Sequence, residues 1–255
     1  MLLTIDIGNT NIKLGVFEGE QIRATWRMAS NVNQMVDEDA AVLLNLLNFK
    51  DITPSEIDGV ALCSVVPPLT TTFANLSQSY FHTEPLIVGA GVKTGVSIRM
   101  DNPREVGTDR IADAAAAHHL YEGPLVIIDL GTATTFGIVS EEGDYIGGIV
   151  ATGIATAAEA LFSKTAQLPR VELAHPKHVI GTNTVAAIRS GIIYGYASLV
   201  EGMIARIQEE LGEKATVIAT GGYARLIANE TDIIDIVNPD LTLVGLRLIY
   251  RINKD

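Results

Sequence analysis

Polar and apolar positions in the first thirty residues fall into three strand patterns, over residues 2–7, 12–17 and 21–28, with short polar or glycine-bearing connections near Asn9 and Gly19. This pattern predicts an antiparallel meander. Beyond it, "MVDEDAAVLLNLLNF" carries apolar side chains at Val36, Ala40, Leu43, Leu44 and Leu47, the spacing of one helix face, and "GVALCSVV" is a short apolar run suited to a buried strand. A helix is expected after Pro68 and a strand at "PLIVG". The second half predicts a helix over "DRIADAAAAHHLY", strands over "PLVIIDLG", "TTFGIV" and "DYIGGIV", and helices over "TAAEALFSKTAQL", residues 184–211 and the segment after "ATVIATGG".

The strand pattern is interrupted twice in the same way. Ile5-Asp6-Ile7-Gly8 matches Ile128-Asp129-Leu130-Gly131, and Gly15 aligns with Gly137 if one residue is skipped. An acidic-glycine turn follows each copy, "EGE" and "EEGD". Either copy alone reads as an ordinary hairpin. The repeated order of strand, turn and second strand favours two related lobes made from one unit, their Asp-Gly turns facing a cleft.

The chain has 255 residues, of which 47% are hydrophobic and 19% charged, enough apolar material for a packed core without disulfides. Its formal charge of −12 repels phosphate backbones and anionic membranes, so neither nucleic acid nor membrane is an expected partner. An anionic ligand then needs local amides, a few placed cations or a metal ion. The single cysteine, Cys63, sits in an apolar run and reads as a buried small hydrophobe. With no secretory pattern at "MLLTIDIG" and no long apolar run, a cytoplasmic location is expected.

The interruptions carry the candidate chemistry. After Asp6, Gly8 lets backbone approach a ligand while Asn9, Thr10 and Asn11 offer donors to phosphate oxygens and Lys13 adds a cation. Asp6 would repel phosphate directly, and its expected task is to hold Mg²⁺, usually through water. The Walker order of glycine, lysine and Ser/Thr is absent. The second copy supplies Asp129 with Thr132, Thr134 and Thr135, and "ATVIATGGYARLI" has a Gly221-Gly222 junction suited to a flat ring. In "DNPREVGTDRIADAAAAHHL", Asp109 fits plain helix capping, whereas Asp109 beside Arg110 also fits a proton acceptor next to a carboxylate clamp. Alanine at residues 114–117 lets that helix pack closely. His118 and His119 are roughly 100° apart on a helix and poorly placed to share a metal. "IGTNT" puts Thr182, Asn183 and Thr184 at a helix start, where one of the three suffices as cap.

These stretches, in order and with Gly147 to Gly153 and Leu168-Pro169 between them, resemble the type III pantothenate kinase family of the actin, Hsp70 and sugar-kinase superfamily. The resemblance implies an α/β fold of two duplicated actin-like (ribonuclease H-like) lobes. It divides the chain into residues 1–105 with the phosphate loop and residues 106–255 with the cation, pantothenate and adenosine elements. It implies ATP-dependent phosphorylation of pantothenate, the first step of coenzyme A synthesis, by a cytoplasmic homodimer. By position, Asp6, Ile7, Gly8, Asn9, Thr10, Asn11, Ile12 and Lys13 resemble the ATP phosphate loop, and Thr132 a further ATP contact. Asp129 matches a site for a monovalent cation, K⁺ or NH₄⁺. Gly107, Thr108, Asp109 and Arg110 resemble the pantothenate segment, with Asp109 as the catalytic proton acceptor, and Thr184 another substrate contact. Met100 stands where the family usually has an aromatic, Gly137 replaces an acidic residue, and Thr152 replaces a proline. The alternatives are a kinase of another small hydroxy acid on the same fold and a non-catalytic transcriptional accessory protein.

Overall fold

In the computed structural model, which describes residues 1–254, the opening meander forms almost where the pattern places it, as β1 (Leu2–Ile7), β2 (Asn11–Glu18) and β3 (Gln21–Ala29). There follow α1 (Val36–Asn48), β4 (Gly59–Ser64), α2 (Pro67–Phe81), β5 (Leu86–Ile87), β6 (Ser97–Ile98) and α3 (Thr108–Leu120). A second meander then appears as β7 (Leu125–Leu130), β8 (Ala133–Val139) and β9 (Asp144–Thr152). The chain goes on with α4 (Ile154–Lys164), α5 (Thr184–Leu211), β10 (Thr216–Thr220), α6 (Ala224–Ala228), β11 (Ile236–Val237) and α7 (Leu241–Lys254).

Several elements differ from the pattern's prediction. The strand at "PLIVG" shrinks to two residues, and the helix over residues 156–168 begins at Ile154 and stops at Lys164, because Thr165 is already extended. Only five residues after Gly222 are helical in α6, and α7 has no counterpart in the sequence reading. The run "LTLVGLRLIY" alternates apolar and other residues and is rich in strand formers, which disguises a helix face. In the structure Leu241, Thr242, Gly245, Leu246 and Ile249 form that face, and all are buried.

The chain divides into two compact units. The first contains Met1–Ser97, Asp101–Ala116 and the chain from Leu241 onward, and the second contains Ile98–Met100 and Ala117–Asp240. These units differ from lobes of residues 1–105 and 106–255 in placing residues 106–116 and the chain from Leu241 with the first sheet. Most of α3 belongs with the first sheet because small residues let α7 close on it: a Cβ on Gly245 would fall on the Ala112 carbonyl, and Thr242 donates to buried Asp113 at 2.7 Å.

The duplication is present in detail. The first sheet has the order β3-β2-β1-β4-β5, and the second repeats it as β9-β8-β7-β10-β11 with β6 added beyond β9. Gly15 pairs with Thr4, two residues before Asp6, and Gly137 pairs with Ile127, two before Asp129. A register shift follows each glycine, at Val16/Phe17 and at Ile138/Val139. The skipped residue lies in the turn: Ile7 pairs with Ile12, whereas Leu130 pairs with Thr134, so the second hairpin is one residue shorter.

Strand alternation assigns each aspartate its side. Leu3, Ile5 and Ile7 enter a core with α1 and α2, so Thr4 and Asp6 point to the opposite face, where Ala61 and Cys63 of β4 pack with Ala112, Ala115, Leu246 and Ile249. In the second unit Val126, Ile128 and Leu130 pack with α5, leaving Asp129 on the other face. The long apolar pattern of α5 is mostly spent on this core, through Ile192, Ile193, Tyr196, Val200, Ile204 and Ile207. Among the described residues no helix is long and apolar enough to cross a membrane.

Candidate active site

In the first unit, Asp6 lies at the end of β1 with Lys13 opposite on β2 and Cys63 opposite on β4. The Cys63 thiol donates to Asp6 Oδ1 at 3.4 Å. Burial, and then the negative charge of Asp109, push the Asp6 carboxyl up from 3.8 to about 6, while the Cys63 thiol and Lys13 pull the other way. Asp6 and Asp109, about a hundred residues apart in sequence, therefore share one electrostatic neighbourhood. Burial likewise pushes the Cys63 thiol well up, with Asp6, Asp109 and Asp113 adding to the effect. Such a thiol is no nucleophile at neutral pH.

The turn after Asp6 is tight. The Gly8 amide donates to the Asn11 carbonyl at 3.0 Å, and Ser30 closes over it, Oγ donating to the Gly8 carbonyl at 2.6 Å and its amide to the Thr10 carbonyl at 3.0 Å. Asn9, Thr10 and Asn11 are exposed at the tip, Ile7 and Ile12 are buried in the core, and Lys13 is half-buried. The Gly8 amide is thus spent on the turn.

Asp109 stands in the first turn of α3. One carboxylate oxygen accepts from the Arg110 amide at 2.8 Å, and a Cβ on Gly107 would collide with that same oxygen, so the glycine makes room for the carboxylate to fold back. Thr108 bonds to Ser64 of β4, Oγ1 donating to its carbonyl at 3.2 Å and accepting from its amide at 3.1 Å. Arg110 is half-buried beside Gly107. Asp101, Arg104 and Glu105 lie on an exposed turn just before this group, where Asn102 Oδ1 accepts from the Arg104 amide at 3.3 Å and Asn102 Nδ2 donates to Glu105 at 2.7 Å.

In the second unit, Asp129 pairs with Thr135 and Thr220 across the neighbouring strands. Two glycines bound its carboxylate: a Cβ on Gly131 would lie 3.3 Å from Oδ1, and one on Gly221, where φ is +91°, would collide with Oδ1 and the Leu130 backbone. The Thr132 carbonyl accepts from Thr156 Oγ1 at 2.9 Å. Asn183 proves to be the cap of α5, its side chain accepting from the Ala186 amide at 2.9 Å. Thr182 and Thr184 remain exposed at the edge of a groove of about 660 Å³ lined also by Leu161, Leu168, Ile188 and Ile192.

The donor sets can be tested against the implied ions. Among the described residues no three His, Cys, Asp or Glu side chains gather as a metal cage, and His175 and His118 have other neighbours, Glu230 and Gly143. Mg²⁺ suits this arrangement, since it keeps several waters and takes one or two carboxylates plus phosphate oxygens, and the desolvated Asp6 is such a carboxylate. Asp129, in a cradle that two Cβ atoms would fill, fits one cation of low charge. Cys63 and Ser64 are the members of the group that pattern reading missed. The available signal was strand pairing, because a buried run parallel to β1 must bring some residue beside Asp6.

Residues 2–206 match the type III pantothenate kinase family. A type III pantothenate kinase of Dehalococcoides mccartyi strain CBDB1 is 57% identical over 253 residues, covering 99% of this chain and 96% of its own. One from Moorella thermoacetica strain ATCC 39073 is 50% identical over 99% of this chain and all of its own. Among solved structures, the inorganic polyphosphate/ATP-glucomannokinase of an Arthrobacter species aligns with a TM-score of 0.53 at 16% identity, over 99% of this chain and 98% of its own, a likeness of fold alone. The fold is that of the actin-like sugar kinases, and the chain belongs to the type III pantothenate kinase family.

Proposed function

We propose that this chain transfers the γ-phosphoryl group of ATP to the primary hydroxyl of pantothenate, giving 4′-phosphopantothenate and ADP in the first step of coenzyme A synthesis. The observation that carries the reading is that β4 bonds Asp6 through Cys63 and, through Ser64, the Thr108 that precedes Asp109, in a chain of this family. Asp109 takes the hydroxyl proton as the oxygen attacks phosphorus, with its other oxygen anchored on the Arg110 amide. Arg110 clamps the pantothenate carboxylate, and Gly107 and Thr108 shape that wall, with Thr184 as a contact from α5. Asn9, Thr10, Asn11 and Lys13 hold the phosphates, on a turn set by Asp6, Ile7, Gly8 and Ile12, and Thr132 adds an ATP contact. Asp6 would hold Mg²⁺ through water and Asp129 would hold K⁺ or NH₄⁺, and bound cations supply countercharge to the phosphoryl oxygens. That countercharge matters in a protein of net charge −12.

The reading includes a cytoplasmic homodimer. Val179 and Ile180, 68% and 83% exposed near the groove, support a subunit contact there. The test is ADP release by the purified protein with ATP, Mg²⁺ and pantothenate, with and without K⁺. Pantothenate-dependent ADP is expected, faster with K⁺, and its absence under both conditions defeats the reading.

The cation role has its own test in Gly221→Ala. The added Cβ meets Asp129 and forces a side chain into the left-handed region. A loss of about 1–3 kcal/mol in stability is expected from that strain, together with loss of K⁺ stimulation. A variant still stimulated by K⁺ as the wild type is would remove Asp129 from that role.

A further inference from the structure

The Cys63–Ser64 end of β4 touches Asp6 on one side and Thr108, the residue before Asp109, on the other. Parallel pairing sets Cys63 beside Asp6 and Ser64 beside Ile7, and the Val65 amide continues the ladder to the Ile7 carbonyl at 3.1 Å. The Cys63 thiol donates a hydrogen bond to Asp6, and the Ser64 peptide meets the Thr108 hydroxyl in both directions, its amide donating to Oγ1 and its carbonyl accepting from it. A hydroxyl has a single proton, so this one has none left to donate to a ligand. Ser64 Oγ is itself directed to the start of α2, donating to the Val66 carbonyl at 3.1 Å and accepting from the Val66 amide at 3.0 Å. The dipeptide is therefore fixed by β1 on one side and α2 on the other, and it in turn fixes Asp6 and the first residue of α3.

Resting on the roles given above to Asp6 and Asp109, we propose that Cys63–Ser64 is a positioning element that holds the phosphate-side carboxylate and the proton acceptor in mutual register. Thr108 acts in it through Asp109, and its hydroxyl does not donate to pantothenate. Register matters because phosphoryl transfer depends on aligned attack, where a misplacement of about 1 Å costs on the order of 10²-fold.

The test uses the full chain, with pantothenate and ATP varied separately. Thr108→Val keeps the side-chain shape and removes the hydroxyl. It is expected to lower kcat about 10–100-fold with the KM for pantothenate changed by less than about threefold, and Thr108→Ser is expected to return most of the lost turnover. Cys63→Ala is expected to lower kcat less, since a thiol is a weak donor, and the double variant should lose less than the product of the two. Unchanged kcat with a raised pantothenate KM in Thr108→Val would make the hydroxyl a substrate contact and overturn the proposal, as would strictly multiplicative losses. Should Thr108→Val not fold, Cys63→Ala decides alone, and wild-type kcat there overturns the proposal. Wild-type protein inactive on pantothenate defeats the functional reading and this inference together, whereas an active wild type with unaffected variants defeats the inference only.

Discussion

Asp109→Asn is expected to lower turnover on pantothenate by about 10²–10⁴-fold while the KM for ATP stays close to that of the wild type. The substitution is nearly isosteric, and the amide oxygen of asparagine can still accept from the Arg110 amide, the contact that orients Asp109 Oδ1 at 2.8 Å. The space left by Gly107 is also unchanged. What is removed is the second, basic oxygen, so the loss belongs in the chemical step. Turnover and KM measured in parallel, with a thermal melt to show equal folding, check it. Wild-type-like turnover would take the proton-acceptor role from Asp109, and a large rise in the KM for ATP would move the residue to the nucleotide side.

The duplication was legible because it is written in residues that punctuate strands. Asp6 and Asp129, Gly8 and Gly131, and Gly15 and Gly137 mark strand ends and register shifts, so a one-residue gap in the alignment of two hairpins is one residue in a turn. Local patterns also located most elements, since helix and strand periods differ. The division of the chain was not legible in that way. Residues 101–116 follow the first meander in sequence but join it through Ala112 and Gly245, whose message is close approach to a helix more than a hundred residues away. Small residues announce that something packs closely, not what does. The same limit applied to Cys63. As an apolar residue in an apolar run it reads as core, and so it is, yet its partner in register is the one carboxylate of β1. Thr108 is the converse case, a polar residue in a substrate-like motif whose hydroxyl bonds within the fold.

The Asp6 site predicts a trade between activity and stability. Asp6→Asn is expected to reduce kcat/KM for ATP by about 10²–10³-fold, the scale of losing one preorganised electrostatic contact to the transferring group, and at the same time to raise the melting temperature of the ligand-free protein. The second effect follows from the rise of the folded-state carboxyl from 3.8 to about 6. Between those values the unfolded chain gives up its proton before the folded one does. Stability contributed by this group therefore falls as pH rises from about 4 to about 6, and the full cost is present above about 6. At 1.36 kcal/mol per pH unit the cost is at most roughly 3 kcal/mol, lowered by the partial exposure of Asp6. Asparagine carries no charge to desolvate and can still accept from the Cys63 thiol. Melts of the two proteins without ATP or Mg²⁺ should therefore coincide near pH 4 and separate towards pH 7, the variant melting higher. If Asp6 holds the cation as proposed, added ATP with Mg²⁺ stabilises the wild type by more than the variant, which lacks the carboxylate. A variant that melts lower than the wild type at pH 7 would show that the Asp6 charge is compensated in the folded chain. Equal stabilisation of both proteins by ATP and Mg²⁺ would take the cation from Asp6.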